Sequence, residues 1–322
     1  MTGRLSRFLR PVCRFALLAA FALPAFSPAG AAAQGCCTPG SSPLGGISGG
    51  ALDGGGIEVG LWAEAYGLRQ GYRGSAKIED PALRESRVLT AVGFLRVGLH
   101  DRVALLAQFP FEYRDRTAPA IPGTGTPAQD FSNTAPGDLT TILLARVLPA
   151  QGPGRFALVL GAGAKWKTGP HDNRQDGLTL PVELQTGTGS TDPVVAAAAR
   201  YLWWWGSVSS NAVLRLPARG ETEYRYGNEL NYTVTALRDL GVSWRVGLET
   251  RGRSAGRDDF RDFVRPNTGG SRVTLGPRVV FSFPGAPVVF EGAFQLPVYQ
   301  HLNDEQLGVS EGASLGVRWT GL

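Results

Sequence analysis

The chain lacks any long apolar run. Its most hydrophobic stretch, Phe15 to Leu23, is too short to span a membrane as a helix, and no later stretch approaches the roughly 18 residues a helix would need. Membrane-spanning helices are therefore excluded. Histidine is nearly absent, with three in 322 residues, so few groups are available as general bases. Cysteine is equally scarce. Of the three, Cys13 lies in the N-terminal segment, which leaves Cys36 and Cys37 side by side with no His nearby.

The N-terminus carries Arg4, Arg7, Arg10 and Arg14, then the short apolar run, then Ala31-Ala32-Ala33. This is the pattern of a secretory signal over 1–33 with a small-residue cleavage site, giving a mature start near Gln34. Removing four Arg and no acid leaves 28 Lys and Arg against 27 Asp and Glu, a net charge of +1. The basic isoelectric point thus belongs mostly to the signal, and a nucleic-acid partner loses its only support. Segment 34–56 is Gly-rich. In an oxidising envelope its adjacent cysteines could form a strained vicinal disulfide, bind a soft metal or cross-link to a partner. With no His nearby the segment reads as a flexible tail, or one that folds back as a partial plug, and no metal or cofactor is assigned.

From residue 57 onward, twelve segments alternate apolar with polar at period 2: 57–67, 87–99, 103–114, 138–148, 155–167, 192–204, 207–218, 228–239, 242–253, 272–283, 287–299 and 311–319. The links between them alternate in length. The short ones are His100-Asp101-Arg102, Pro149 to Gly154, Trp205-Gly206, Leu240-Gly241 and Pro284-Gly285-Ala286, all compatible with tight hairpins. The long ones are 68–86, 115–137, 168–191, 219–227, 254–271 and 300–310. Tight turns at one end and longer loops at the other, with an even number of strands, predict an all-β chain: a closed antiparallel transmembrane barrel of about twelve strands over 57–322, of the bacterial outer-membrane type. A soluble sandwich would also alternate, but its apolar face would point inward and its links need not alternate in length.

Parity assigns the two faces. Ile57, Val59, Leu61, Ala63 and Ala65 share the lipid face, while Glu58, Trp62, Glu64 and Tyr66 share the lumen. Phe156, Leu158, Leu160, Ala162, Ala164 and Trp166 divide from Arg155, Lys165 and Lys167 in the same way, and Val242, Trp244, Val246 and Leu248 divide from Arg245, Glu249 and Arg251. Near the C-terminus Phe290, Phe294, Leu296 and Val298 oppose Glu291, Gln295 and Tyr299. Trp203, Trp204 and Trp205 end the sixth segment where an aromatic girdle belongs.

Four stretches carry a family resemblance: Gly137-Asp138 opening a strand after a long loop, GAGAKWKTG over 161–169, LQTGTGSTD over 184–192, and QLPVYQ over 295–300. With them the chain resembles the outer-membrane family of the MetA pathway of phenol degradation. The resemblance implies a β-barrel in the outer membrane with an uptake or export role for small organic molecules. Two features depart from it. Thr320-Gly321-Leu322 follows Trp319 where such barrels commonly end on an aromatic, and the Cys-Cys segment precedes the first strand.

The lumen is expected to be polar and slightly basic. Topology gathers Glu112, Arg114, Asp138, Lys165, Lys167 and Asp192 at similar height on four neighbouring strands, a mixed-charge cluster at the outer mouth. Such a cluster can filter solutes, since low-dielectric walls focus the field, or it can simply neutralise itself as an ion-pair network. Arg96, Arg146, Arg200, Arg215, Arg245, Arg278 and Arg318 extend basic character around the wall, a track for anions or a solvated interior.

Thr186 to Ser190 superficially matches a phosphate-cradling loop, but it leads into a strand and lacks a following helix or Lys-Ser/Thr pair, so it reads as a flexible loop. His100 sits in a turn, His171 lies beside Asp172 and Asp176, and His301 is close to Asn303 and Asp304. With no nucleophile motif, a rim hydrolase is the weakest reading and the chain is taken as a non-enzyme. A channel or transporter comes first and a non-conducting structural or adhesive barrel second. The expected partners are the lipid bilayer, a small-molecule solute and, during insertion, the barrel-assembly machinery.

Overall fold

The computed structural model describes residues 54–80, 84–118, 128–148 and 154–321. The expected signal 1–33 and the Cys36-Cys37 stretch lie outside them. Among the described residues no helix is long and apolar enough to cross a membrane.

Eleven long strands form the main sheet: β1 (Ile57–Gly74), β2 (Glu85–His100), β3 (Val103–Ala118), β4 (Thr140–Leu148), β5 (Arg155–Lys165), β6 (Asp192–Trp203), β7 (Gly206–Arg215), β8 (Glu229–Leu240), β9 (Trp244–Ala255), β10 (Gly270–Ser282) and β11 (Val288–Gly321). Each pairs antiparallel with the next, and β11 returns to pair with β1, Ile57 opposite Gly321. The sheet is a closed barrel with no free edge. β11 is 34 residues long and works as two strands. It pairs with β10 up to Leu302 and with β1 from Leu302 onward, doubling back beside Asp304, whose φ is +52°. Eleven elements thus supply twelve passes, the even number the link pattern requires.

Several boundaries differ from expectation. Stretch 300–310 is strand and tight hairpin rather than a long link. The outer half of β3 pairs with an added strand, Gln129–Pro136, so the link over 115–137 is partly sheet. Gly137-Asp138-Leu139 breaks that strand from β4, so Asp138 sits in the break. β5 ends at Lys165 and β7 at Arg215, each short of the expected limit.

Parity holds where the strands are regular. Ile57, Val59 and Leu61 are exposed on the outer wall, while Glu58, Trp62 and Glu64 are buried inside. At the short-turn end Tyr201, Trp204, Trp244 and Trp319 are exposed outward, and Trp203 meets Trp205 edge-on with ring centroids 5.0 Å apart. Tyr299 breaks the rule. Thr274 pairs with Pro297 and Val273 with Tyr299, so Val298 is a bulge that inverts the alternation and turns Tyr299 outward, half-exposed.

The interior is not polar throughout. On the β2–β7 flank the inward positions include Phe94, Leu106, Ile142, Leu144, Val159 and Val213, which form a buried apolar cluster. Both faces of this flank are apolar, as in any strand buried on two sides. Most of the charged side chains occupy the remaining wall and the outer mouth, with Arg96, Arg146 and Arg200 set towards the short-turn ends of β2, β4 and β6.

Candidate functional site

At the outer mouth, Asp138 is the hub. Its carboxylate accepts from Lys165 Nζ at 2.7 Å, from the backbone N–H of Thr188 at 2.9 Å, from Thr188 Oγ1 at 2.8 Å and from the N–H of Gly169 at 2.9 Å. The break before β4 makes this possible by letting Asp138 aim at the loop over 166–191. Lys165, the last residue of β5, also reaches Asp192 at 3.2 Å and donates to the Ser190 carbonyl at 2.8 Å. Asp192 Oδ1 in turn accepts from Ser190 Oγ at 2.7 Å and from the N–H of Ala218. All three charged groups are buried.

The loop over 166–191 therefore folds inward. Its 3-10 turn Val182–Leu184 is held by Arg114, which donates to the Glu183 carbonyl at 3.1 Å, by Arg116 on the Glu183 carboxylate, and by Asn133 on the Leu184 carbonyl at 2.7 Å. Arg114 also binds Glu112 through Nε at 2.7 Å. Rather than a loose turn, Thr186 to Ser190 is a pinned segment. A Cβ on Gly187 would lie 2.1 Å from the Gly169 carbonyl oxygen, so glycine is what lets the two arms of the loop touch.

Lys167 lies elsewhere than parity placed it. The strand has ended, its side chain is exposed, and it pairs with Glu221 of the next loop rather than standing between Asp138 and Asp192. The Lys167 hydrogen bond, with the ammonium charge, holds the Glu221 carboxyl below the usual carboxylate range. His171 approaches the same carboxylate at 3.4 Å. The loops over 216–228 and 256–269 join through Asp258, which accepts from Tyr224 Oη and from the Gly227 N–H. Burial, then the Asp258 carboxylate, push the Tyr224 hydroxyl up.

Below the mouth, charges alternate around the wall. Arg251 bridges Glu64 and Glu249, each at 2.6 Å, and Arg278 bridges Glu249 and Glu291. Arg318 reaches Glu291 at 3.3 Å and Glu58 at 3.8 Å, and Arg96 binds Glu58 at 2.7 Å. Gln295 donates to Glu249 at 3.2 Å. An upper branch runs from Asp192 through Arg215 to Glu229 and Arg253. Glu229 and Arg253 were not singled out from the sequence, although both have lumen parity. Arg146 is half-buried on the β4 wall. Among the described residues Arg200 and Arg245 have no acidic side chain within ion-pair distance, although Asp239 acts on both from farther away.

The three histidines are scattered. His100 ends β2, His171 meets Glu221, and His301 Nδ1 lies 3.0 Å from Ser75 Oγ at the exposed rim.

A family model described as "Putative MetA-pathway of phenol degradation" matches residues 88–319. No curated protein matches the chain. Among solved structures, an outer membrane channel from Pseudomonas putida F1 superposes with a TM-score of 0.61 at 13% identity, covering 84% of this chain and 97% of that one. A Pseudomonas aeruginosa FadL homologue gives a TM-score of 0.45 at 11% identity over 89% of this chain and 96% of that one. At such identity the first likeness speaks to the fold alone.

Proposed function

Because the chain belongs to the family of the MetA pathway of phenol degradation, matched over 88–319, we propose that it is an outer-membrane channel for small organic solutes. The observation that carries this reading is the recess inside the closed ring, lined largely by charged, amide and hydroxyl side chains. A barrel serving only as a scaffold has no need of a solvated wall with so many arginines. The apolar outer wall and its aromatic belt fit a lipid bilayer. The fold likeness to the Pseudomonas putida channel supports the barrel architecture on which this reading rests.

The outer-mouth cluster acts in this reading as the clasp of a gate. Lys165, Asp138 and Asp192 neutralise one another while tying the loop over 166–191 across the mouth, so the cluster sets whether the pore is open. No catalytic role is assigned to the separated histidines. The inward loop also favours a second reading, a barrel closed at rest. Planar-bilayer recording of purified protein separates the two. Discrete conductance steps, together with liposome swelling in small organic solutes, are the expected outcome, and a silent bilayer under all applied voltages would favour the closed scaffold.

A further inference from the structure

The recess in the lumen is bordered by five arginines and three glutamates. The glutamates are already committed. Glu64 and Glu249 hold Arg251, Glu249 and Glu291 hold Arg278, and Glu291 holds Arg318. The surplus of two positive charges therefore falls on Arg200 and Arg245. Arg200 pairs across the sheet with Ser209 and Ala157, neither of which is acidic. Arg245 stands opposite Asp239 on β8, but that carboxylate is exposed at the rim and makes no ion pair with it. Both guanidinium groups line the short-turn half of the recess beside Arg318.

Arginine presents a planar fork of donors that matches a carboxylate in two parallel hydrogen bonds, and it stays charged at any ordinary pH. Asp239 acts on Arg200 and Arg245, and Glu291 on Arg245, only at a distance. Two such forks with no close ion pair among the described residues, inside a low-dielectric wall that focuses their field, concentrate small anions and repel cations. We propose that Arg200 and Arg245 form a binding site for a small organic carboxylate in the lumen. This deepens the channel reading by naming the charge class of its solute, yet binding itself requires no conduction.

The test is calorimetric titration of the full-length protein in detergent micelles with benzoate, and with benzyl alcohol as the neutral counterpart. The expected result is benzoate binding that weakens as NaCl rises from about 50 to about 500 mM. It should weaken by about tenfold or more in Arg200→Gln/Arg245→Gln. The single variants Arg200→Gln and Arg245→Gln each leave one fork in place and should weaken binding by a few fold, and they serve if the double variant fails to fold. Equal benzoate affinity in wild type and double variant, benzyl alcohol binding as tightly as benzoate, or no benzoate binding by folded wild type would each overturn the site. Conductance recorded on the same preparation reports separately on the channel reading, so a conducting barrel that ignores benzoate sinks only the site.

Discussion

Arg96 Nη2 lies 2.7 Å from Glu58 Oε2, the two side chains 1% and 2% exposed and directly opposite each other on β2 and β1. An ion pair so removed from solvent is held by the geometry of neighbouring strands rather than by long-range attraction. It is also where the acid-base alternation of the wall meets the apolar flank that begins at Phe94.

Removing one partner strands the other charge. Glu58→Gln should destabilise the barrel by about 3–5 kcal/mol, while Glu58→Gln/Arg96→Met, which removes both, should recover most of that loss. Equilibrium denaturation in lipid vesicles reads the difference. A single-variant loss below about 1 kcal/mol would mean that water in the lumen solvates the pair.

The parity of β9 is open to an equally direct trial. Val246 points outward between Trp244 and Leu248, so Val246→Arg should cost about 2–4 kcal/mol and impair insertion, whereas Arg245→Ala should leave insertion nearly intact. Equal folding yields of the two variants in lipid would overturn the face assignment.

The two lysines of the mouth should separate cleanly. Lys165→Gln leaves Asp138 and Asp192 facing each other without their shared cation and loosens the loop over 166–191, so conductance should rise and selectivity should shift towards cations. Lys167→Gln removes only an exposed contact with Glu221 and should change little. Reversal potentials under a salt gradient decide this, and a larger shift from Lys167→Gln than from Lys165→Gln would refute the placement of the clasp.

Acid should release the loop contact that Lys167 makes. The Glu221 carboxyl is held below its ordinary value, so the contact is fully present above the normal carboxylate range near pH ~4.3 and is lost as pH falls through the lower, folded-state value. Followed by NMR of the Glu221 carboxyl, the titration midpoint should lie below the ordinary carboxylate range in wild type and move back towards it in Lys167→Gln, with gating little changed. A midpoint at or above the ordinary carboxylate range would refute the contact.

Alternation and link length made the barrel legible because both follow from the bilayer: one face must be apolar, and only one end has room for long loops. The wall charges Glu58, Glu64, Glu249 and Glu291 were legible for the same reason. Lys167 was not, because parity says nothing once the strand ends two residues earlier. Tyr299 was misplaced by a single bulge at Val298, which leaves no mark in hydropathy. The apolar inner flank was missed because Leu106, Ile142 and Leu144 sit among equally apolar outward neighbours, and period 2 vanishes when both faces are greasy. The pinning of Thr186 to Ser190 did leave a signal: glycines at 169 and 187 allow two backbones to touch, but only the fold shows which two.

The pairing of Ile57 with Gly321 ties the order of synthesis to the order of closure. The first strand made must wait for the last, and until the second half of β11 arrives β1 keeps a row of unsatisfied amides and carbonyls. Joining chain ends so far apart sets a large loop-closure entropy against folding and gives the final ladder a high contact order, so closure should be the slow step. A truncation within the last pass should therefore not yield a slightly smaller barrel. It should yield an open sheet with two adhesive edges, prone to pairing with other copies.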